Sequence, residues 1–260
     1  MILTVTLFLL TGIIGGFLAG LLGIGGGLVV VPALYFYFGL DPATAPYAMH
    51  LALGSSLAFV VINSGFAAFT HARMDGVLWH EVRALAPGLA AGSLLGAALA
   101  DSLATESLAR GFGVFMLAMA ALTVFGARLQ FRGGGRKWHS LVAGLPMGTV
   151  ASLVGVGGGV MVVPWLLARG ARAASAVASS SMCTVIVAVL GTIGYMLFAE
   201  SLPVKGAVGH VHWPAVLAIA ATAFPTAQIG ARLAHRVPQV ALRRGFAVLL
   251  VLVGLNLIFG

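Results

Sequence analysis

Apolar residues run along this chain almost without interruption. Stretches with few or no charges cover residues 2–39, 42–70, 84–100, 107–127, 139–168, 174–199, 213–231 and 245–259, separated by short polar or basic turns. None alternates with the two-residue period of a membrane barrel strand, and several reach the ~20 residues a helix needs to cross hydrocarbon. The pattern predicts an all-α polytopic membrane protein. No basic residues precede the first stretch, so it is expected to belong to the mature fold rather than to a cleaved signal.

Within these stretches one motif occurs twice. Gly23-Ile24-Gly25-Gly26-Gly27-Leu28-Val29-Val30-Val31-Pro32 returns as Gly155-Val156-Gly157-Gly158-Gly159-Val160-Met161-Val162-Val163-Pro164, at a constant offset of 132. Glycine weakens a helix interior, so two matched clusters at membrane depth predict an interrupted helix in each half. Further matches extend the repeat. Arg110-Gly111-Phe112 returns as Arg244-Gly245-Phe246, Trp79 as Trp213, and Gly54-Ser55-Ser56-Leu57 resembles Ser179-Ser180-Ser181-Met182 at offset 125. Two repeats are therefore expected, at 1–127 and 139–260, joined by a basic glycine-rich linker at 128–138. Pro32 and Pro164 are expected near the start of a half-helix, where a missing amide does little harm.

Composition sharpens the class. Sixty per cent of residues are hydrophobic and 8% charged, against roughly half and a quarter in soluble domains. The net charge of +8 resides in short loops and carries no implication of nucleic acid. The distribution of those charges discriminates between topologies. If each glycine-interrupted segment crossed the bilayer once, the fourteen Lys and Arg would divide seven against seven; if each were a hairpin returning to its starting side, twelve would lie inside and only Arg110 and Lys205 outside. The positive-inside rule selects the second arrangement. It implies two inverted repeats, each a glycine-interrupted hairpin plus three transmembrane helices. Charge parity leaves open whether the hairpins are re-entrant or fully spanning. Asp41, Asp101, Glu106 and Glu200 then lie outside. The only cysteine, Cys183, is expected to be buried packing.

An interrupted helix exposes main-chain N–H groups at the start of its second half, where the helix dipole favours an anion. Inversion would bring two such starts, after Gly27 and Gly159, to one midplane axis, as in transporters with discontinuous helices. Gly16-x-x-x-Gly20 and Gly88-x-x-x-Gly92-x-x-x-Gly96 read instead as close-packing faces. A nucleotide loop is excluded, because no strand precedes the glycines and no Lys-Ser/Thr follows them.

The paired G-x-G-G-G…V-P segments, the small Ser-rich stretch of the second helix and the Arg-Gly-Phe start of each final helix resemble the sulfite exporter TauE/SafE family over nearly the whole chain. The resemblance implies secondary transport, usually outward, of a small sulfur-containing anion such as sulfite or an organosulfonate, in a bacterial inner membrane.

The substrate-binding candidates are Gly25, Gly26, Gly27, Gly157, Gly158 and Gly159 through their amides, Ser55, Ser56, Ser180 and Ser181 as hydroxyl donors, Asn63, and His50 as ligand or proton relay. Serines in membrane helices also bond their own i−4 carbonyl, and His50, four residues after Pro46, also suits an interfacial position. Arg110 and Arg244 read as interfacial anchors. The other histidines lack metal spacing. Asp75 and Glu81, beside Arg73 and Arg83, are expected to form a neutralised loop. No nucleophile–base pair appears, so no enzyme, metal or cofactor is expected. The expected partners are the anion, the bilayer and a coupling proton, with a homodimer left open. Alternatives are transport of another ion or a neutral solute, or a non-transporting membrane subunit.

Overall fold

The computed structural model describes residues 2–22, 26–72, 76–125, 137–199, 204–234 and 239–259. Gly25 of the first glycine cluster, Arg73 and Asp75, and residues 128–136 of the linker lie outside them. Among the described residues there are ten α-helices: α1 (Ile2–Leu22), α2 (Gly27–Gly39), α3 (Ala48–Ala72), α4 (Trp79–Asp101), α5 (Thr105–Phe125), α6 (Lys137–Val154), α7 (Gly159–Ala168), α8 (Ala173–Leu197), α9 (Trp213–Ala234) and α10 (Gln239–Phe259). Four described stretches, Ala45–Gly65, Trp79–Asp101, Thr105–Val124 and Ala173–Leu197, are long and apolar enough to cross a membrane. The chain is an all-α multi-pass membrane protein. Ile14, Phe36, Val114, Leu217 and Leu252 are all exposed, as expected of a surface that meets lipid.

Helix α3 is the hub, with every residue from 48 to 60 buried. It packs against α2, α8 and α9, while α8 packs against α4 and α7. The remaining large contacts are exchanged between the halves. The first helix of the first half, α1, lies on α9; the first helix of the second half, α6, lies on α4; and the two last helices, α5 and α10, lie on each other.

Glycine makes the exchanged contacts possible. Gly12, Gly16 and Gly20 of α1 press on the backbone of Ile219, Ala223 and Ala227, and Gly88, Gly92 and Gly96 of α4 press on Leu141, Leu145 and Thr149. A Cβ at any of these positions would collide with main chain. Small residues let membrane helices approach this closely, where dispersion rather than the hydrophobic effect holds them. The close-packing assignment of both glycine faces holds.

Two features depart from the expected layout. Pro32 and Pro164 are each the sixth residue of their helices, deeper than the first turn. Each therefore leaves one helical carbonyl, that of Leu28 or Val160, without its i+4 donor. Second, a two-stranded antiparallel hairpin, β1 (Ala207–Val208) and β2 (Val211–His212), precedes α9. Gly209 makes its tight turn with φ 56°, a left-handed value that glycine adopts without strain. The hairpin is tied to the helices by His210 N–H donating to Tyr195 O at 2.9 Å and by His212 N–H donating to Ser55 Oγ at 2.9 Å.

Candidate functional site

The two glycine clusters meet. Gly27 opens α2, and a Cβ built on it would lie 2.9 Å from both Gly155 O and Val156 Cα, and 3.3 Å from Ser56 Oγ. Ser56, fully buried on α3, donates its hydroxyl to Gly155 O at 2.8 Å. This single contact joins the start of α2, the middle of the hub and the segment between α6 and α7. Gly26 precedes α2 with φ 82°, and Gly155 and Gly157 have φ 66° and 76°, values costly for any residue carrying a Cβ. At Gly157 a Cβ would also approach Thr184 Cγ2 to 2.8 Å and Val60 Cγ1 to 3.1 Å. Gly158, by contrast, has an ordinary helical φ of −72°.

The first intrahelical bonds locate the amides that lie before them. In α2 they run from Val29 and Val30 to Gly26 O, and in α7 from Met161 and Val162 to Gly158 O. The N–H groups of Gly27, Leu28, Gly159 and Val160 therefore precede the helical ladder. Gly27 and Leu28 are buried, whereas Gly159 and Val160 are half-exposed. Three residues before Gly155, the hydroxyl of Ser152 is buried with no hydrogen-bond partner among the described residues.

The other polar candidates fall into distinct roles. Ser55 Oγ accepts from His212 N–H before α9, and Ser179 Oγ accepts from Leu78 N–H at 2.8 Å before α4. These are the same bond in the two halves, so hydrogen bonding pairs Ser55 with Ser179, one residue earlier than the offset of 125 implies. In the sequence Ser179 is marked only as one of a run of three serines. Ser180 and Ser181 both donate to Val177 O, at 2.9 and 3.0 Å, the back-bonding common in membrane helices. Asn63 is half-buried on α3, about two turns beyond Ser56.

His50 lies near the start of α3, next to the hairpin. Its Nε2 faces Ala100 O and Leu103 O, both at 3.0 Å, and its Nδ1 faces Thr105 Oγ1 at 3.2 Å. The His210 ring stands 4.9 Å away between centroids, with His210 Nδ1 3.9 Å from Asp101 Oδ1. Pro46, Tyr47, His50, Asp101, Thr105 and His210 share a cavity of about 380 Å³. Burial, then the neighbouring His50 ring, push the His210 pKa down to about 4. Burial likewise lowers that of His212, whose Nδ1 accepts Ala215 N–H at 3.2 Å and caps α9.

At the far end of α4 the chemistry is ionic. Arg169, between α7 and α8, bonds Glu81 Oε1 at 3.1 Å, with both side chains less than one-fifth exposed. Ser140 of α6 donates to Glu81 Oε2 at 3.1 Å, and the Arg169 guanidinium stands 5.8 Å from the Trp165 ring. Glu81 is thus met from the other half by Arg169 and Ser140, brought by the lie of α6 on α4, as well as by its neighbour His80 at 3.7 Å; Arg73 and Asp75 of the expected neutralised loop lie outside the described residues. The repeat offsets carry Ser140, Arg169 and Glu81 onto Phe8, Tyr37 and Ala215. There Phe8 packs on Tyr37 at 4.5 Å and on His212 at 5.9 Å. One end of the molecule thus holds a semi-buried ion pair where the other holds aromatic rings. No group of three or more metal-ligating side chains occurs among the described residues.

Comparison with known proteins adds identity to this geometry. The chain is 32% identical to a "Probable membrane transporter protein" of Haemophilus influenzae, covering 97% of each chain. It is 26% identical to a "Probable membrane transporter protein" of Methanocaldococcus jannaschii, over 98% of this chain and 95% of the relative. A "Probable membrane transporter protein" of Bacillus subtilis is 23% identical over 95% of each. No solved structure matches significantly. Residues 8–257 match the family described as Sulfite exporter TauE/SafE, and with two interlocked helical halves and full-length transporter relatives the chain belongs to that family of membrane proteins.

Proposed function

We propose that this membrane transporter carries a small sulfur-containing anion, sulfite or an organosulfonate, and exports it across a bacterial inner membrane. The observation that carries this reading is the meeting of Gly27 with Gly155 under the Ser56 hydroxyl. In this reading the amides that open α2 and α7 hold the oxyanion through main-chain dipoles, without a buried cation. The binding set comprises the amides of Gly26–Leu28 and Gly158–Val160, with Ser56 and Thr184 at its wall. Ser55 and Ser179 position the helices that frame it.

The halves are inverted repeats in this reading, because the positive-inside rule favours the resulting twelve-to-two division of basic residues over the seven-to-seven alternative. His50, Asp101, Glu106 and the hairpin then face outside, and Glu81 and Arg169 face the cytoplasm. The Gly27–Gly155 contact is too tight for a solute, so passage requires the packed bodies to part there.

Radiolabelled sulfite flux into proteoliposomes tests the site. Gly27→Val, which drives a side chain into Gly155, is expected to abolish flux while the protein still elutes as a monodisperse peak. Gly39→Val, at a position where a Cβ meets nothing within 4 Å, is the control. Normal sulfite flux in Gly27→Val would reject the site.

A further inference from the structure

The hydrogen bonds around His50 cannot all be satisfied by a neutral ring. Nε2 faces two carbonyls, Ala100 O and Leu103 O, which accept only, so this nitrogen carries a proton. Nδ1 faces Thr105 Oγ1. Thr105 has a single hydroxyl proton, and it goes to Pro46 O at 2.5 Å. With neutral His50 the Nδ1 lone pair therefore opposes a hydroxyl oxygen whose proton points elsewhere, unless Thr105 turns away from Pro46. A second proton, on Nδ1, makes every neighbour an acceptor matched to a donor.

The surroundings admit that proton. Asp101, at the end of α4, lines the same cavity and supplies a counter-charge. His210 stacks beside His50, and burial lowers its pKa to about 4, so it does not compete for a proton near neutral pH. Tyr47 and Tyr195 flank His210 at 6.4 and 6.3 Å. Glu106, from the first turn of α5, lines the adjoining cavity of about 690 Å³ together with Pro46 and Thr105, and faces Arg110 at 4.0 Å.

We propose that His50 is the proton-binding site to which transport is coupled, and that its second proton latches the hairpin end of the molecule shut. This rests on the anion-transport reading and names its coupling ion. Charged His50 joins α3 to the α4–α5 connection through Ala100, Leu103 and Thr105 while Thr105 still holds Pro46. Loss of the proton forces Thr105 to release either Pro46 or His50, so one of the two ties across the cavity opens.

The latch itself is tested without a substrate. A cysteine at Ala48, buried and lining the larger cavity, is labelled with a membrane-impermeant maleimide in proteoliposomes, in a Cys183→Ala background. Its rate is divided by that of a cysteine at exposed Ser102 to remove the intrinsic thiol dependence. The corrected rate is expected to rise at least fivefold from pH 5.5 to pH 8, and to lose that dependence when His50→Gln is added. A pH-independent ratio with His50 intact, or an unchanged pH profile in His50→Gln, overturns the latch.

Coupling is read separately. Where the intact protein concentrates sulfite against its gradient under an imposed pH difference, His50→Gln is expected to equilibrate sulfite without concentrating it. Concentration by His50→Gln equal to that of the parent overturns the coupling role. Absence of sulfite movement in the parent would instead count against the anion reading, and the labelling experiment would still decide the proton site.

Discussion

Ser56 shows how much one hydroxyl holds. Its bond to Gly155 O is buried and spans the two halves of the chain, so Ser56→Ala leaves a buried carbonyl short of its donor. Such a loss costs about 1–3 kcal/mol. Thermal melting of the detergent-solubilised protein should show it, whereas Ser181→Ala, which removes only an exposed back-bond, should melt like the parent. Glu81→Gln keeps the shape but removes the charge facing Arg169 in a site that is mostly buried. Removing one charge of a buried pair costs about 3–5 kcal/mol; residual exposure of both side chains lowers the expectation toward about 2 kcal/mol. The double variant Glu81→Gln/Arg169→Leu should recover part of it. Equal melting temperatures of the single and double variants would reject a coupled pair.

At the scale of elements, the hairpin before α9 couples pH to stability. An unfolded histidine binds a proton below its ordinary value of 6.5, whereas folded His210 resists it until about 4. Between those values the unfolded chain carries more protons, so stability falls as the pH is lowered through that window and is unaffected above it. His210→Gln should flatten this part of the melting-temperature profile. A profile as steep as the parent's would show that other groups carry the acid sensitivity. The helix pairs make a second expectation. Gly92→Ile places a branched side chain where Leu145 backbone already lies, and should separate α4 from α6 and prevent a monodisperse preparation. Gly111→Ile, at a position with nothing within 4 Å, should be tolerated. The glycine spacing alone revealed these packing faces; their partners, α9 for α1 and α6 for α4, required the fold.

For the whole molecule, the packing redraws the moving parts. A duplicated chain invites the picture of one half rocking against the other. Here α1, α2 and α3 gather α9 from the second half, and α6, α7 and α8 gather α4 from the first. The two bodies that would part at the Gly27–Gly155 contact in the proposed cycle are thus each assembled from both repeats, and the α3–α4 and α8–α9 connections are the places where the chain passes between them. Topology is read with cysteines at Val208 in the hairpin and at Arg172 between α7 and α8, both in exposed positions. In intact cells an impermeant reagent is expected to label the first and not the second. Labelling of both from one side would refute inverted repeats.

Sequence determined the membrane class, the helical architecture, the duplication and the two glycine clusters, because apolar length, missing alternation and a motif recurring at a fixed offset are local properties of the string. Nothing in the string announced that Gly27 abuts Gly155, since residues 128 apart meet only when α2 and the α6–α7 segment converge on α3. The Glu81–Arg169–Ser140 cluster was equally hidden: each member has nearer charged or polar neighbours in sequence, and only the exchange of α6 onto α4 selects its real partners. His50 was legible as an unusual residue but not as a crowded hydrogen-bond acceptor problem, because its partners are two carbonyls and a hydroxyl from the α4–α5 connection. Residue type is written in the chain; which backbone oxygen a side chain faces is set by how the helices lie on one another.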